Sequence, residues 1–394
     1  MCKVIMIGCD LHDRSMVLRY SVGAGKPQQM TIENTTLGRQ KLIARFKRLA
    51  SEHKMDRIVM VYEASGLGHG LSDLLHSQGI ECFVLSPTHL PKSSKSAKLK
   101  TDAKDAQMLL EQLRGFVLAG NALPVVWTPP PILREDRELV RARIDVADEM
   151  TRVKLKITTL LKAREVQFIS PTKGRWTKAA IMKMRTQLVK ELGIAVGTKL
   201  KLLLDRLDMY RREMHELDAA LVQLSREARY KESCKALQKL PGVGVLVAMS
   251  FLTEMGDLTR FDNRRQVGAY LGLCPAAHES GNTNDRKGRI TRQGPARLRK
   301  VLCQAAWTAV AHDSASAEAY HRIRQGQKKR TKKALTAMMR RLGVRMWHEA
   351  MKLGVHSDLI GRARPSPEDF AQAPQRDQVV PTASPPRQPL GCAG

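Results

Sequence analysis

Residues 3–10 read Lys-Val-Ile-Met-Ile-Gly-Cys-Asp, a short and mostly apolar run that ends in an acid. Apolar runs of this length are typical of strands that are buried on both faces of a sheet. A second run, 57–62, is followed by Glu63, and residues 82–85 predict another buried strand. Because helical patterns separate the later strands, the sequence predicts an α/β layer fold over about the first 120 residues.

Four acids recur at positions where a metal site can form. Asp10 and Glu63 follow neighbouring apolar strands, and ligands of α/β sheets bind beyond the carboxyl ends of strands. Asp102 and Asp105 stand three residues apart at the start of a predicted helix and therefore share one face. Mg²⁺ takes a few carboxylate oxygens and leaves its other positions to water and phosphate. The four acids predict a cage for one or two Mg²⁺ ions, suited to phosphoryl transfer.

The acid pair has a simpler alternative explanation. Thr101 precedes the pair and is a residue type that favours helix N-caps. Acids in the first turn of a helix also complement its dipole. On this interpretation Asp102 and Asp105 stabilise a helix end and bind nothing.

The composition indicates a polyanionic partner. The chain has 394 residues, a formal net charge of +29 and a pI of about 10.2. Such an imbalance is typical of proteins that bind nucleic acid. Aromatic residues make up only 4% of the chain, so phosphate contacts rather than base stacking should carry the affinity.

The cysteines and the hydropathy pattern favour a cytoplasmic, nucleoid-associated protein. The seven cysteines are scattered and form no Cys-x-x-Cys pair, which argues against a zinc site and a disulfide framework. The short apolar run after Met1 is too brief for a signal peptide, and no stretch of about 18 apolar residues predicts a membrane span.

The middle of the chain predicts two long helices. Prolines 129–131 mark a boundary, and apolar residues then recur at three- and four-residue steps over about 132–168. A second seam, with the same spacing, runs from Leu200 to Leu224. We expect an antiparallel coiled-coil hairpin, which serves either as a spacer or, as we favour, in dimerisation.

The C-terminal part contains a turn and a loop that suit nucleic acid. Residues 240–244, Leu-Pro-Gly-Val-Gly, resemble the turn of a helix-hairpin-helix, although a plain helix–loop–helix fits equally well. The polar loop 272–294 places Ser280 among arginines, which can hold a phosphate against it. The residues that we predict to bind nucleic acid are Lys92, Lys95, Lys98, Lys100, Arg286, Lys287, Arg289, Arg292, Arg299, Lys328, Lys329, Arg330, Lys332 and Lys333.

Taken in order, these motifs resemble the DEDD-type insertion-sequence transposases, a family of bridge-RNA-guided DNA recombinases. The resemblance covers roughly residues 3–350. It rests on Ile-Gly-Cys-Asp at 7–10, Tyr-Glu-Ala-Ser-Gly at 62–66, Lys-Thr-Asp-Ala-Lys-Asp-Ala at 100–106, and the C-terminal segments 240–244, 272–275 and 288–294.

The resemblance implies a fold, a division into domains and a set of site residues. It implies a RuvC-like, RNase H-fold domain at 1–125 and a mainly α-helical transposase domain at 236–350, and the apolar periodicity predicts a helical coiled-coil region between them at 126–235. We predict a disordered tail at 363–394. It also implies that the acid tetrad Asp10, Glu63, Asp102 and Asp105 binds Mg²⁺ and that Ser280 is a catalytic nucleophile.

The expected activity is cutting and rejoining of DNA through a covalent phosphoserine link. The resemblance implies that a structured guide RNA selects the double-stranded DNA target. The wide separation of the tetrad and Ser280 in sequence predicts a composite site in a homo-oligomer, a dimer or a tetramer. Two alternatives stay open: a Mg²⁺-dependent nuclease or junction resolvase that uses water, and a non-enzymatic nucleic-acid-binding scaffold.

Overall fold

The structure, a computed structural model, describes residues 3–91, 101–166, 176–277, 287–362 and 365–370. The chain divides into two compact units. Unit 1 consists of the described residues up to Thr128 together with 362 and 365–370, and unit 2 consists of those from Pro129 to Gly361. The three-part domain division expected from the sequence remains a prediction.

Unit 1 is built on a five-stranded mixed sheet in the order β3-β2-β1-β4-β5. Strand β1 pairs antiparallel with β2 and parallel with β4, β2 pairs antiparallel with β3, and β4 pairs parallel with β5. The strands are β1 (Val4–Leu11), β2 (Ser15–Val22), β3 (Gln28–Glu33), β4 (Arg57–Glu63) and β5 (Glu81–Leu85). The helices are α1 (Thr36–Glu52), α2 (Gly70–Ser77) and α3 (Asp102–Ala119). The α/β prediction for this part of the chain is confirmed.

The two faces of β1 belong to two different cores. Ile5 and Ile7 point to a core that includes residues of α1 and α2, whereas Val4 and Met6 pack with residues of α3. Successive strand side chains alternate between faces, so Asp10 falls on the face that α3 covers.

Gly8 allows α3 to lie directly on β1. A Cβ atom at this position would stand 2.3 Å from the backbone nitrogen of Leu110 and 2.4 Å from the carbonyl oxygen of Ala106. Those distances are far below van der Waals contact with helix backbone, which cannot move aside alone. Glycine at position 8 therefore fixes how closely, and at which turn, α3 meets the central strand.

The described part of unit 2 is helical apart from one short pair of antiparallel strands. Its helices are α4 (Pro131–Lys162), α5 (Lys178–Lys183), α6 (Val189–Glu191), α7 (Gly193–Leu224), α8 (Lys231–Gln238), α9 (Val245–Met255), α10 (Arg264–Tyr270), α11 (Ala296–His312), α12 (Ser314–Arg324) and α13 (Thr331–Met351). A π-helical turn, Met184–Leu188, joins α5 to α6. Strands β6 (Pro275–Ala277) and β7 (Lys287–Ile290) pair antiparallel.

Helix α4 ends at Lys162, six residues before the expected end. Glu165 has a φ of 56°, and the amide of Val166 donates to the carbonyl of Leu161 while that of Glu165 donates to Lys162. This pair of bonds is the Schellman arrangement, which closes a helix with one left-handed residue. Glutamate is unusual in that place, which explains why the sequence pattern did not predict the end.

Helices α4 and α7 pack antiparallel within unit 2. Arg143 of α4 contacts Asp218 near the end of α7, whereas Val153 and Ile157 share a core with Leu200 and neighbouring leucines near its start. The expected hairpin is present in this sense. Coiled-coil geometry and a role in dimerisation remain predictions.

The turn at 240–244 packs against α11. Gly242 has a φ of 78°, and a Cβ atom on it would stand 2.2 Å from the carbonyl oxygen of Ala305. Leu240 and Val243 are buried. This glycine therefore serves a close approach between α11 and the turn that precedes α9.

Candidate active site

The structure brings two of the four predicted acids together with a histidine. Nε2 of His12 lies 3.0 Å from Oδ2 of Asp10 and 3.5 Å from Oδ1 of Asp102. One ligand-type atom from each residue lies within 4.8 Å of the other two. His12 sits in the short β1–β2 connection, where its amide donates to the Ser15 carbonyl and its carbonyl accepts from Asn34 Nδ2. These bonds hold the histidine backbone beside the end of β1.

Asp102 reaches Asp10 because α3 runs antiparallel to β1 from the Gly8 contact. From Gly8 to Asp10 the strand advances about 6.6 Å, and from Ala106 back to Asp102 the helix advances about 6 Å. The two carboxylates therefore arrive at the same level beyond the sheet. One close packing contact thus determines the geometry of the site.

The helix-cap explanation for the acid pair loses part of its support. Thr101 has the extended backbone of an N-cap residue, but its side chain makes no capping hydrogen bond. Its carbonyl accepts from the amides of Lys104 and Asp105. Asp102 and Asp105 still lie in the first turn, where the helix dipole favours acids.

The carboxylates repel one another at the site. Burial raises the pKa of the Asp10 carboxyl above its ordinary value, contact with His12 opposes that rise, and the nearby charges of Asp105 and Asp102 add to it. Asp105 therefore belongs to the electrostatic surroundings of Asp10. Like charges gathered around a half-buried carboxylate are a common feature of functional sites.

Glu63 is placed by the register of the sheet. Cys9 of β1 lies opposite Tyr62 of β4, so Asp10 and Glu63 occupy the next positions of two parallel neighbours. Val59 and Val61 face the α3 core, and alternation puts Glu63 on the same face as Asp10. Glu63 is exposed and is not part of the three-residue cluster. The structure brings it to the correct edge of the sheet.

His12 is a site residue that the sequence reasoning missed. A signal was present, because residues two apart at a strand end project to the same side and Asp10 had already been singled out. The apolar run itself ends before Asp10, so the predicted strand does not extend to His12.

The donor set fits a divalent cation. Carboxylate oxygens of Asp10 and Asp102 suit Mg²⁺ or Mn²⁺, and an imidazole nitrogen suits Mn²⁺ better than Mg²⁺. Burial, and to a smaller extent the charges of Asp105 and Asp102, raise the pKa of Asp10, and a bound cation would favour its ionised form.

Several predicted residues cannot be placed. Ser280, Arg286, the lysines at 92, 95, 98 and 100, and the tail from 371 lie outside the described residues, as does the side chain of Lys287. In sequence, Ser280 falls between β6 and β7.

The other predicted basic residues differ in their surroundings. Arg289 and Arg292 are exposed, and so are Lys328, Lys329, Lys332 and Lys333, which lie in the turn before α13 and at its start. The side chain of Arg330 contacts that of Gln325. Arg299 is half-buried, and its Nη1 donates to the carbonyl of Gly294 at 3.0 Å and to that of Leu271 at 3.3 Å. Arg299 therefore joins two backbone segments, whatever else it binds.

No helix within the described residues is both long enough and apolar enough to cross a membrane.

Comparison with known proteins identifies related sequences over both units. Residues 7–164 match the family model of DEDD transposases of the IS110 type, and residues 234–322 match that of the transposase IS116/IS110/IS902 family. A putative transposase y4qE of Sinorhizobium fredii is 30% identical over 65% of this chain, and the match spans 59% of that relative. A second, y4rJ, is 27% identical over 78% of this chain and 81% of its own length. The transposase of IS1533 from Leptospira borgpetersenii is 22% identical over 78% of this chain and 86% of its own length.

A mixed sheet whose strand ends and covering helix assemble acids is consistent with an RNase H-like DEDD enzyme. The two family models and the names of the relatives support an IS110/IS116-family DEDD transposase.

Proposed function

We propose that the protein is a DNA transposase of an insertion sequence, which cuts and rejoins DNA strands with Mg²⁺ and a serine nucleophile. One observation carries the proposal: the chain folds so that Asp10 and Asp102 meet at a sheet edge shared with Glu63 and Asp105. The same chain matches a transposase family model in its C-terminal part.

The tetrad supplies the metal-binding side of the mechanism. Asp10 and Asp102 would hold the ion, and Glu63 and Asp105 would complete the cage from β4 and the next helical position. A bound divalent ion supplies charge neutralisation at the scissile phosphate. The protein's own task is to keep the acids in register, which β1, β4 and the contact at Gly8 accomplish.

Ser280 supplies the covalent side of the mechanism. Its hydroxyl gives its proton to a base as Oγ forms a bond to phosphorus. One phosphorus–oxygen bond of the DNA breaks, and the released DNA hydroxyl takes up a proton. The phosphoserine link keeps a phosphodiester bond available, so attack by a second DNA hydroxyl rejoins strands and restores the serine.

The remaining partners follow from the same proposal. A homo-oligomer, dimer or tetramer, would bring Ser280 to the tetrad, with α4 and α7 as the candidate interface. A structured guide RNA would select the DNA target and be held through its backbone and shape. Such a protein would act in the prokaryotic cytoplasm at the nucleoid.

A covalent-trapping experiment tests the mechanism. Purified protein is incubated with labelled insertion-sequence end DNA and Mg²⁺, and denaturing gels report protein–DNA adducts. We expect an adduct with the wild type and with Thr283→Ala, a matched control in the same segment, but none with Ser280→Ala or Asp102→Asn.

Each contrary outcome supports a different function for the protein. An adduct that persists in Ser280→Ala disproves the nucleophile. Cleavage without any adduct favours a nuclease or resolvase that uses water, with the acid cluster as its active site. If Asp10→Asn and Asp102→Asn leave every DNA transaction intact, the protein is a binding scaffold. Sequencing the copurifying nucleic acid tests the guide RNA, because a defined RNA encoded beside the gene is expected and random fragments would contradict it.

A further inference from the structure

Unit 2 contains a cleft that the proposed chemistry does not use. The cleft has a volume of about 860 Å³ and lies between α10, α12 and α13, with alanines of α11 and Pro241 also lining it. Five arginines line it: Arg264, Arg265, Arg340, Arg341 and Arg345. They come from two helices that are distant in sequence, so this concentration of charge arises from the fold and is not one basic run.

Four of these arginines have no counter-charge within the described part of the chain. The side chains of Arg264, Arg265, Arg340 and Arg341 make no hydrogen bond or ion pair there. Other arginines of unit 2 have carboxylate partners, as Arg297 does with Asp145.

Two carboxylates reach the cleft, and both are engaged. Asp313 accepts a hydrogen bond from the amide of Ser316, and Glu349 pairs with Lys352. The charge of Arg345 contributes to lowering the pKa of both acids. Arg345 therefore lies near two acids, whereas the other four arginines form no ion pair with either of them within the described residues.

Arg340 lies close to the backbone of α10. It is half-buried, and a Cβ atom built on Gly268 would stand 2.7 Å from its Nε atom. The guanidinium therefore packs directly against the backbone of α10. A partly desolvated cation without an acid is unfavourable, and a phosphate that accepts two parallel hydrogen bonds would remove that cost.

The basic surface continues along α13. Lys333, Ala337, Arg341 and Arg345 follow one another at four-residue steps and therefore share a helix face. Twelve residues of helix span about 18 Å, which is enough for several successive phosphates. The shape is that of an open track rather than a pocket for one small anion.

We propose that this cleft binds the phosphodiester backbone of a nucleic acid, with Arg264 and Arg265 on one wall and Arg340 and Arg341 on the other. The inference deepens the proposed function, because it rests on a protein that acts on nucleic acid. The basic run at 322–345 already predicts a nucleic-acid surface that includes Arg340 and Arg341, and the structure adds Arg264 and Arg265 on the opposite wall. Backbone contacts of this kind carry affinity without sequence preference.

The salt dependence of binding tests the cleft. Affinities for a random-sequence duplex DNA and for an RNA hairpin are measured over a range of salt concentrations. Each phosphate contact contributes about 0.9 to the slope of log affinity against log salt for duplex DNA. We expect R340Q/R341Q, and independently R264Q/R265Q, to lower the slope by about 1.8 with the nucleic acid that occupies the cleft.

The control is R212Q/R226Q, which removes the same charge from exposed arginines of unit 2 that do not line the cleft. Far-UV circular dichroism checks that each variant is folded. A loss confined to DNA or to RNA identifies the occupant and supports the cleft. Slopes equal to the control with both probes overturn it, even when the wild type still forms the serine adduct. A wild type that binds neither probe overturns the proposed function as well.

Discussion

The arginines that form ion pairs at α4 and the arginines of the cleft show two uses of one residue type within unit 2. Arg229 donates from Nε and Nη2 to both carboxylate oxygens of Asp136, each at 2.9 Å, and the hydroxyl of Tyr230 donates to the same acid at 2.7 Å. Arg141 likewise holds both oxygens of Glu254. Among the described residues, Arg340 and Arg341 of the cleft have no such acid.

The difference separates structural cations from cations that await a ligand. Asp136 is almost fully buried, and its contact with Arg229 raises the pKa of that guanidinium further above its usual value. Burial, followed by the bond to Asp136, raises the pKa of the Tyr230 hydroxyl. This network joins α4 to the segment before α8, and its guanidinium and carboxylate charges are paired. Four arginines of the cleft have no ion pair among the described residues, so the two regions should respond oppositely to mutation.

Removing Asp136 should give the largest effect. Asp136→Ala removes the acceptor that the partly buried Arg229 shares with the buried Tyr230, and breaking one partner of a buried pair costs about 3–5 kcal/mol. The free energy of unfolding can be followed in urea by tryptophan fluorescence, since Trp307 and Trp347 report on unit 2.

The matched control for that experiment is Glu135→Ala on the exposed side of α4. We expect a change within about 0.5 kcal/mol, as for ordinary surface substitutions. If Asp136→Ala cost no more than its neighbour, the α4 network would not be structural and the comparison with the cleft would fail.

Asp10 of unit 1 is the acidic counterpart of the cleft arginines, because the acids near it carry the same charge. Because burial and the nearby acids raise its folded-state pKa, ionised Asp10 lowers stability, and this cost grows as the pH rises from the ordinary carboxyl pKa through the raised value. Asp10→Asn should therefore stabilise unit 1 by about 1 kcal/mol in chelator at neutral pH. Thermal melts with and without Mg²⁺ or Mn²⁺ measure this gain and the loss of metal-dependent stabilisation.

The stabilisation by Asp10→Asn should shrink as the pH is lowered toward about 3.9, because the Asp10 carboxyl of the folded wild type is then neutral as well. Asp13→Asn, in the same β1–β2 connection, removes an equal charge from an exposed position and should keep the metal response. A metal-dependent shift that survives in Asp10→Asn would remove Asp10 from the site.

The sequence was informative about unit 1 because its signals are local. Apolar runs that end in Asp10 and Glu63 predicted both the strands and the edge of the sheet where the acids gather, and the three-residue spacing predicted the face of α3. The role of Gly8 could not be predicted in this way. Its role depends on the backbone of α3, about 100 residues away in sequence, and no local pattern indicates that contact.

The cleft could not be predicted for the same reason. Arg340 and Arg341 belong to a basic run, but Arg264 and Arg265 lie more than 70 residues before them in sequence. Whether an arginine has an acid partner depends on tertiary packing: Arg229 and Asp136 are more than 90 residues apart. Charge composition predicted that unit 2 binds a polyanion without distinguishing paired arginines from unpaired ones.

The smallest effect on stability should come from substitutions in the cleft. R264Q/R340Q removes two like charges that have no acid partner among the described residues, so at low salt the free energy of unfolding should change by no more than about 0.5 kcal/mol, and in the stabilising direction. Urea unfolding in dilute buffer, with R212Q/R226Q alongside, measures the difference. If the free energy of unfolding fell by more than about 1 kcal/mol, these arginines would stabilise unit 2 as Arg229 does. Such a result would contradict the assignment of the cleft arginines to ligand binding.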